Sequence, residues 1–224
     1  MTVPRSLGVR IVSVLALTLW MAASAQPRIS GVADHLLPAP ADVVAEARGG
    51  FAWFPFEVGR GQVGSDGSFE LEFRAGVRLP NDVTTPVEHL MDAQRCEDLA
   101  VSDPAARVVV VRELRLVPRD AACEYCETLG TLYLATRDRT SLGATGDLAV
   151  QWIHADRDVS VQGRCRHGWG EEAFALDLQE GWNTVVLETT ALIPSDAFCD
   201  CRLVSVTVVT SVPETVAWHA VPTR

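Results

Sequence analysis

The chain has 224 residues and a formal net charge of −10, with 19 basic side chains, every one of them Arg, against 29 acidic ones. An acidic field of this size repels phosphate backbones and anionic lipid, so neither nucleic-acid binding nor docking on an acidic membrane is expected. With no Lys anywhere, a P-loop is excluded.

At the start, Arg5 and Arg10 flank the beginning of an apolar run over residues 11–23 (IVSVLALTLWMAA), and Ala23-Ser24-Ala25 leads into Gln26-Pro27. A basic start, a short apolar run and an A-x-A step form an export signal, so residues 1–25 read as a signal peptide. An apolar run of about 13 residues is short for a bilayer core of about 30 Å. The alternatives are an uncleaved anchor or a buried helix. The first cysteine is Cys96, so none stands at the cleavage point to carry a lipid. No later stretch reaches the roughly 18 apolar residues of a spanning helix, and no transmembrane segment is expected once the signal is removed. The expected location is outside the cytoplasm: periplasmic, cell-surface or secreted.

From there the pattern is that of strands. Residues 28–33, 42–47, 56–63 and 68–73 are candidates, the last two joined by a turn at Ser65-Asp66-Gly67, where Asp tolerates and Gly prefers positive φ. Residues 85–88 (TPVE) place Thr at an N-cap, Pro at the first helical position and Glu three after the cap, which predicts a short helix near residues 86–93. Residues 107–117 (RVVVVRELRLV) read as one strand, with Leu114 and Leu116 on one face and Glu113 and Arg115 on the other. Residues 131–136, 147–154 and 159–163 follow, the last two separated by the polar gap 155–158, which predicts a hairpin. Residues 174–178, 184–189, 203–210 and 215–221 complete the chain.

Short strands with frequent turns predict an all-β protein, an antiparallel β-sandwich, either one large or two small. The expected organisation is an N-terminal unit over residues 26–80, a connection with the short helix over 81–106, and a C-terminal unit over 107–224. The alternative is one continuous domain with a helical insertion.

The stretch ISG, the paired Val43 and Val44, and VGSDGSFELEF with its Asp66-Gly67-Ser68-Phe69-Glu70-Leu71 turn resemble transthyretin-like or carboxypeptidase-regulatory-like β-sandwich modules. The resemblance covers about 45 residues and implies an accessory or structural module. Residues 146–188, with GDLAVQW, DRDVSVQG and the EGWN turn, resemble uncharacterised exported bacterial proteins, which implies nothing biochemical.

Six cysteines, Cys96, Cys123, Cys126, Cys165, Cys199 and Cys201, stand behind the export signal, and an even count in that setting points to disulfides. Six cysteines allow 15 connectivities. If the loops carrying Cys123/Cys126 and Cys199/Cys201 share one end of the fold, two bridges join them and Cys96 pairs with Cys165 by elimination. That last bridge would contribute about 4 kcal/mol by loop closure. Cys123, Cys126, Cys199 and Cys201 could instead hold zinc, with Cys165-Arg166-His167 as a further donor, although the second spacing is C-x-C rather than C-x-x-C. A redox C-x-x-C is disfavoured because Glu124 and Glu127 raise a thiol pKa.

Five histidines form no close-spaced ligand pair. His154, Asp156 and Asp158 could converge on a cation, but Asp residues in a turn ordinarily favour the bend. No G-x-S-x-G elbow occurs. Trp152 reads as core. Trp53, in GGFAWFPF, and Trp169, in HGWGEE, are the candidates for ligand contact. The combined expectation is an exported, acidic, disulfide-stapled and non-enzymatic structural or binding protein of the cell envelope. Its partner would be an envelope protein or glycan, and it needs no cofactor. A secreted hydrolase or a metal-binding β module are the alternatives.

Overall fold

The structure is a computed structural model that describes residues 28–32, 40–47, 56–74, 84–87, 96–119, 128–137, 144–167, 170–193 and 201–222. The elements of these residues are strands: β1 (Arg28–Val32), β2 (Ala41–Ala47), β3 (Phe56–Val63), β4 (Ser68–Phe73) and β5 (Thr85–Pro86). Then come β6 (Cys96–Val101), β7 (Arg107–Val111), β8 (Leu114–Pro118), β9 (Gly130–Ala135) and β10 (Leu148–Ala155). The last five are β11 (Val159–His167), β12 (Gly170–Leu178), β13 (Gly181–Ile193), β14 (Cys201–Val209) and β15 (Ala217–Pro222). The all-β class expected from the alternating pattern is what forms.

The strands make one hydrogen-bonded ribbon in the order β1-β4-β3-β2-β8-β9-β10-β13-β14-β12-β11-β6. Off it, β15 pairs with β9, and β7 pairs with β10 and β5. Among the described residues every ladder is antiparallel except β12–β14, which is parallel. The sheet is therefore mixed rather than purely antiparallel. The strands from the first 80 residues join the rest through β2–β8.

Period-two alternation sorts the buried side chains into two clusters. Val109, Trp152 and Val186 pack with Val43, Val58, Leu71 and Phe73 from β2, β3 and β4 and with Leu114 and Leu132 from β8 and β9. Their sequence neighbours Val108, Ile153 and Val185 pack with Val161, Leu176 and Val206 on the other side. The strands β7, β10 and β13 are thus buried on both faces, as a layer shared by two cores. That explains why β7 is an unbroken valine run rather than an alternating one.

Three local expectations change. Residues 107–117 are two strands, not one. Val111 and Leu114 both enter the first cluster, which a single strand cannot achieve because residues three apart face opposite ways. The chain turns at Arg112 and Glu113, and β7 and β8 pair with different partners. The gap 155–158 is not a hairpin: β10 pairs with β13, β9 and β7, while β11 pairs with β12 and β6. Ala155 and Val159 both belong to the second cluster, so this turn carries the chain from the shared layer to the strands that cover it. Finally, Thr85 and Pro86 pair with β7. Among the described residues β5 pairs on one side alone, and an edge position tolerates Pro. Beyond Val87, the helix expected near 86–93 lies outside the described residues.

The turn at Ser65-Asp66-Gly67 forms as expected. Gly67 has φ 81°, and the Ser68 N–H and hydroxyl both donate to Asp66 Oδ1, at 3.0 and 2.6 Å. Close approach needs a glycine at Gly31, where a Cβ would meet the Trp218 indole at 2.1 Å. That indole donates its Nε1–H to Ser30 O at 3.1 Å.

Candidate functional site

The face of β1, β4, β3, β2 and β8 that turns away from the first cluster carries an array of paired charges, exposed at β1 and β4 and largely buried at β2 and β8. Across the ladder, Arg28, Glu72, Arg60, Val44 and Arg115 lie opposite one another on β1, β4, β3, β2 and β8. The neighbouring row is Ser30, Glu70, Gln62, Asp42 and Val117. The alternation that turns Phe69, Leu71 and Phe73 into the core turns Glu70 and Glu72 out.

Five arginines meet five carboxylates here. Arg28 reaches Glu72 at 2.7 Å and Glu70 at 3.5 Å. Arg60 bridges Asp42 at 2.8 Å and Glu57 at 2.6 Å. The Glu57 hydrogen bond is the main reason the Arg60 pKa rises above its ordinary value. Arg74 also holds Glu57, and Arg115 holds Glu46. Arg119 Nε donates to Asp42 at 3.2 Å, and Arg119 Nη2 donates to Ala41 O and Val63 O.

The array grades from wet to dry. The Arg28 and Arg74 side chains are 69% and 54% exposed, whereas those of Asp42 and Glu46 are 10% and 12% exposed. Glu46 gives one oxygen to Arg115, and its Oε2 is buried without a hydrogen-bond partner. The two signs balance on this face although the chain carries −10. It therefore offers short-range donors and acceptors rather than a steering field.

The sequence-derived site residues distribute differently. Asp156 and Asp158 do not converge with His154 on a cation. Asp156 Oδ1 accepts the Arg107 N–H at 2.9 Å, and Asp158 Oδ1 accepts the Glu180 N–H at 2.7 Å. Both carboxylates fix the layer-changing turn. Among the described residues, no group of three or more His, Cys, Asp or Glu side chains is placed to hold a metal ion. Cys96 and Cys165 form a disulfide between directly opposed residues of β6 and β11. Cys123, Cys126 and Cys199 lie outside the described residues. Cys201 opens β14 opposite Ile193. Trp53 and Trp169 also lie outside the described residues. Trp152 is 1% exposed, as expected of a core residue, and stacks with Trp218 at 6.0 Å.

The His154 and Trp182 rings pack edge to face with centroids 5.1 Å apart. Its burial pushes the imidazole pKa below the ordinary 6.5, against the opposing pull of Asp156 and Glu180. The unfolded chain then binds the proton more readily than the folded one. The His154 contribution to stability is present in full above pH about 6.5 and is lost as pH falls through the depressed folded value. His154→Gln should flatten that part of the stability profile on the acid side, as measured by urea midpoints from pH 8 to 5. Identical slopes for the two proteins would rule the account out.

The array was missed in the sequence because its charges come from five strands. Its one local trace is the alternation of Ser68, Glu70 and Glu72 with apolar residues. No helix of the described residues is long and apolar enough to cross a membrane. No family model, curated protein or solved structure matches the chain.

Proposed function

We propose that this is an exported, non-enzymatic structural or binding protein of the cell envelope, with the arginine–carboxylate array as its contact face. The array is the observation that carries the reading. Its charges are held by one another and by a core-backed sheet, so the face is pre-organised, and pre-organisation lowers the entropic cost of binding. Mixed donors and acceptors suit a polar envelope glycan or protein surface better than a polyanion. The Cys96–Cys165 disulfide is compatible with an oxidising compartment, and the transthyretin-like resemblance of the N-terminal stretch points to the same accessory role.

The test is fractionation of a bacterium that exports the chain with its own leader, followed by intact mass. The expected product begins at Gln26, lies outside the cytoplasm and co-sediments with the envelope. Arg28→Glu combined with Arg74→Glu reverses two exposed charges away from the core and should release it into the soluble fraction. Full-length protein in the cytoplasm defeats the export half of the proposal. Unchanged sedimentation of the variant defeats the contact face.

A further inference from the structure

We infer that the free edge of β1 takes up an extended strand of a partner protein, with an acidic side chain opposite Arg28. The inference rests on the contact face proposed above and names what docks there: a peptide segment, added to the sheet edge to edge. Among the described residues four strands pair on one side alone, β1, β5, β6 and β15. Unpaired edges invite other strands, and proteins blunt them with short length, Pro, charge or a bulge. β5 has two residues and holds Pro86. β6 carries Glu97 and Asp98, meets β11 across a register shift, and puts Asp98 at φ 55°. β15 ends in Pro222. β1 is five residues in unbroken register with β4, without Pro or bulge and with one charge, Arg28, at its start.

The direction of its backbone groups follows from the next ladder. Gly64 N–H donates to Ser68 O at 2.7 Å, and Arg74 N–H donates to Val58 O at 2.8 Å. Ser68, Glu70 and Glu72 therefore turn their backbone groups to β3, and Phe69 and Leu71 turn theirs to β1. The partners of Phe69 and Leu71 are Gly31 and Ile29. The N–H and C=O groups of Arg28, Ser30 and Val32 consequently point to the free edge, in sets about 7 Å apart. Trp218 agrees with this direction, since its Nε1–H reaches Ser30 O at 3.1 Å. A carbonyl has two lone pairs, so Ser30 O can accept a second donor.

The flanking side chains select the occupant. Arg28 and Val32 stand on the charged face on either side of Ser30, the Arg28 side chain 69% exposed and Val32 52%. An antiparallel strand sets one residue opposite each. An acid opposite Arg28 is favoured and a base is disfavoured, while an apolar residue opposite Val32 covers exposed surface. On the inward side Trp218 already fills the space over Gly31, where a Cβ would meet it at 2.1 Å, so a small residue suits the position opposite. A glycan presents no row of alternating N–H and C=O groups at this spacing, and a peptide strand does.

The test titrates the exported protein with the capped peptide Thr-Val-Ala-Thr-Val-Glu-Thr, which sets Val, Thr and Glu opposite Val32, Ser30 and Arg28. The NMR signals of the β1 amides and the Trp218 indole should shift, and exchange of the Ser30 and Val32 amides should slow about tenfold. N-methylation of the central Thr removes the donor to Ser30 O and should weaken binding about tenfold. Lys in place of the peptide Glu should weaken it about threefold. Ser30→Pro deletes an N–H that β4 does not use, so the urea midpoint should hold while binding is lost. Unshifted β1 signals at about 5 mM peptide overturn the proposal. Equal affinity for the N-methylated peptide does so too, by placing the contact on side chains. If chitotetraose shifts β1 and the peptide does not, the occupant is a glycan and strand addition falls. Envelope sedimentation separates this from the contact face: release of the Arg28→Glu, Arg74→Glu protein but not of Ser30→Pro would leave the face standing and defeat the added strand.

Discussion

Trp152→Ala should lower the stability of the chain by about 4 kcal/mol, and Ile153→Ala beside it by about 3 kcal/mol. Each residue is 1% exposed, yet the two fill different clusters on opposite faces of β10. Trp152 packs beside Phe73 and Trp218, at centroid distances of 6.0 Å each. Ala in its place leaves a large void, and cores relax into such voids only in part. Against a total of about 5–15 kcal/mol for a folded domain, either loss is severe.

The pair also asks whether the two cores unfold together. A layer shared by both ties their fates: removing either side exposes the face of β7, β10 and β13 that it covered. Urea unfolding followed by fluorescence and by far-ultraviolet circular dichroism should give one coincident transition, displaced to lower urea in both variants. If Ile153→Ala shifts only one of two separated transitions, the shared-layer account fails and the chain behaves as two units.

Much of this fold could be read from residue order because it depends on period two. The strands at Phe56–Val63 and Ser68–Phe73 and the Asp66-Gly67 turn between them are local features, and they form where the pattern places them. The route between layers depends on partners far away in sequence. The turn chemistry of Asp156 and Asp158 is the same whether the chain returns along its own sheet or crosses to another. Only Ala155 and Val159, buried in one cluster, reveal the crossing. Strand β6 was hidden for a related reason. CEDLAV has acids at its second and third positions, and Asp98 interrupts the alternation with its positive φ. The charged array was the least legible feature, because pairs such as Arg115–Glu46, 69 residues apart, exist only once β2 and β8 are aligned.

The second large effect falls at the dry centre of that array. Asp42→Ala should cost about 3 kcal/mol, because it removes charge-assisted hydrogen bonds to Arg60 and Arg119 at a position 7% exposed. Arg60→Ala should cost less, about 1 kcal/mol, since Asp42 keeps Arg119 and the lost side chain is 46% exposed. Arg28→Ala should cost about 0.5 kcal/mol or less, because its partners Glu70 and Glu72 are solvated. The order follows from an asymmetry of burial rather than from the number of contacts. Arg60 also holds Glu57, and Arg119 also donates to Ala41 O and Val63 O, so neither cation is stranded when Asp42 goes. What is lost is the acceptor that draws both guanidinium groups over β2. Asp42→Asn keeps the shape and one acceptor, and its cost should fall between those of Asp42→Ala and Arg60→Ala. Urea midpoints of the four variants at low salt and in 0.5 M salt decide the matter: salt should narrow the Arg28 difference while leaving most of the Asp42 difference. Equal costs for Asp42→Ala and Arg28→Ala would mean that the array is a uniformly solvated surface, and its pre-organisation would have no energetic basis.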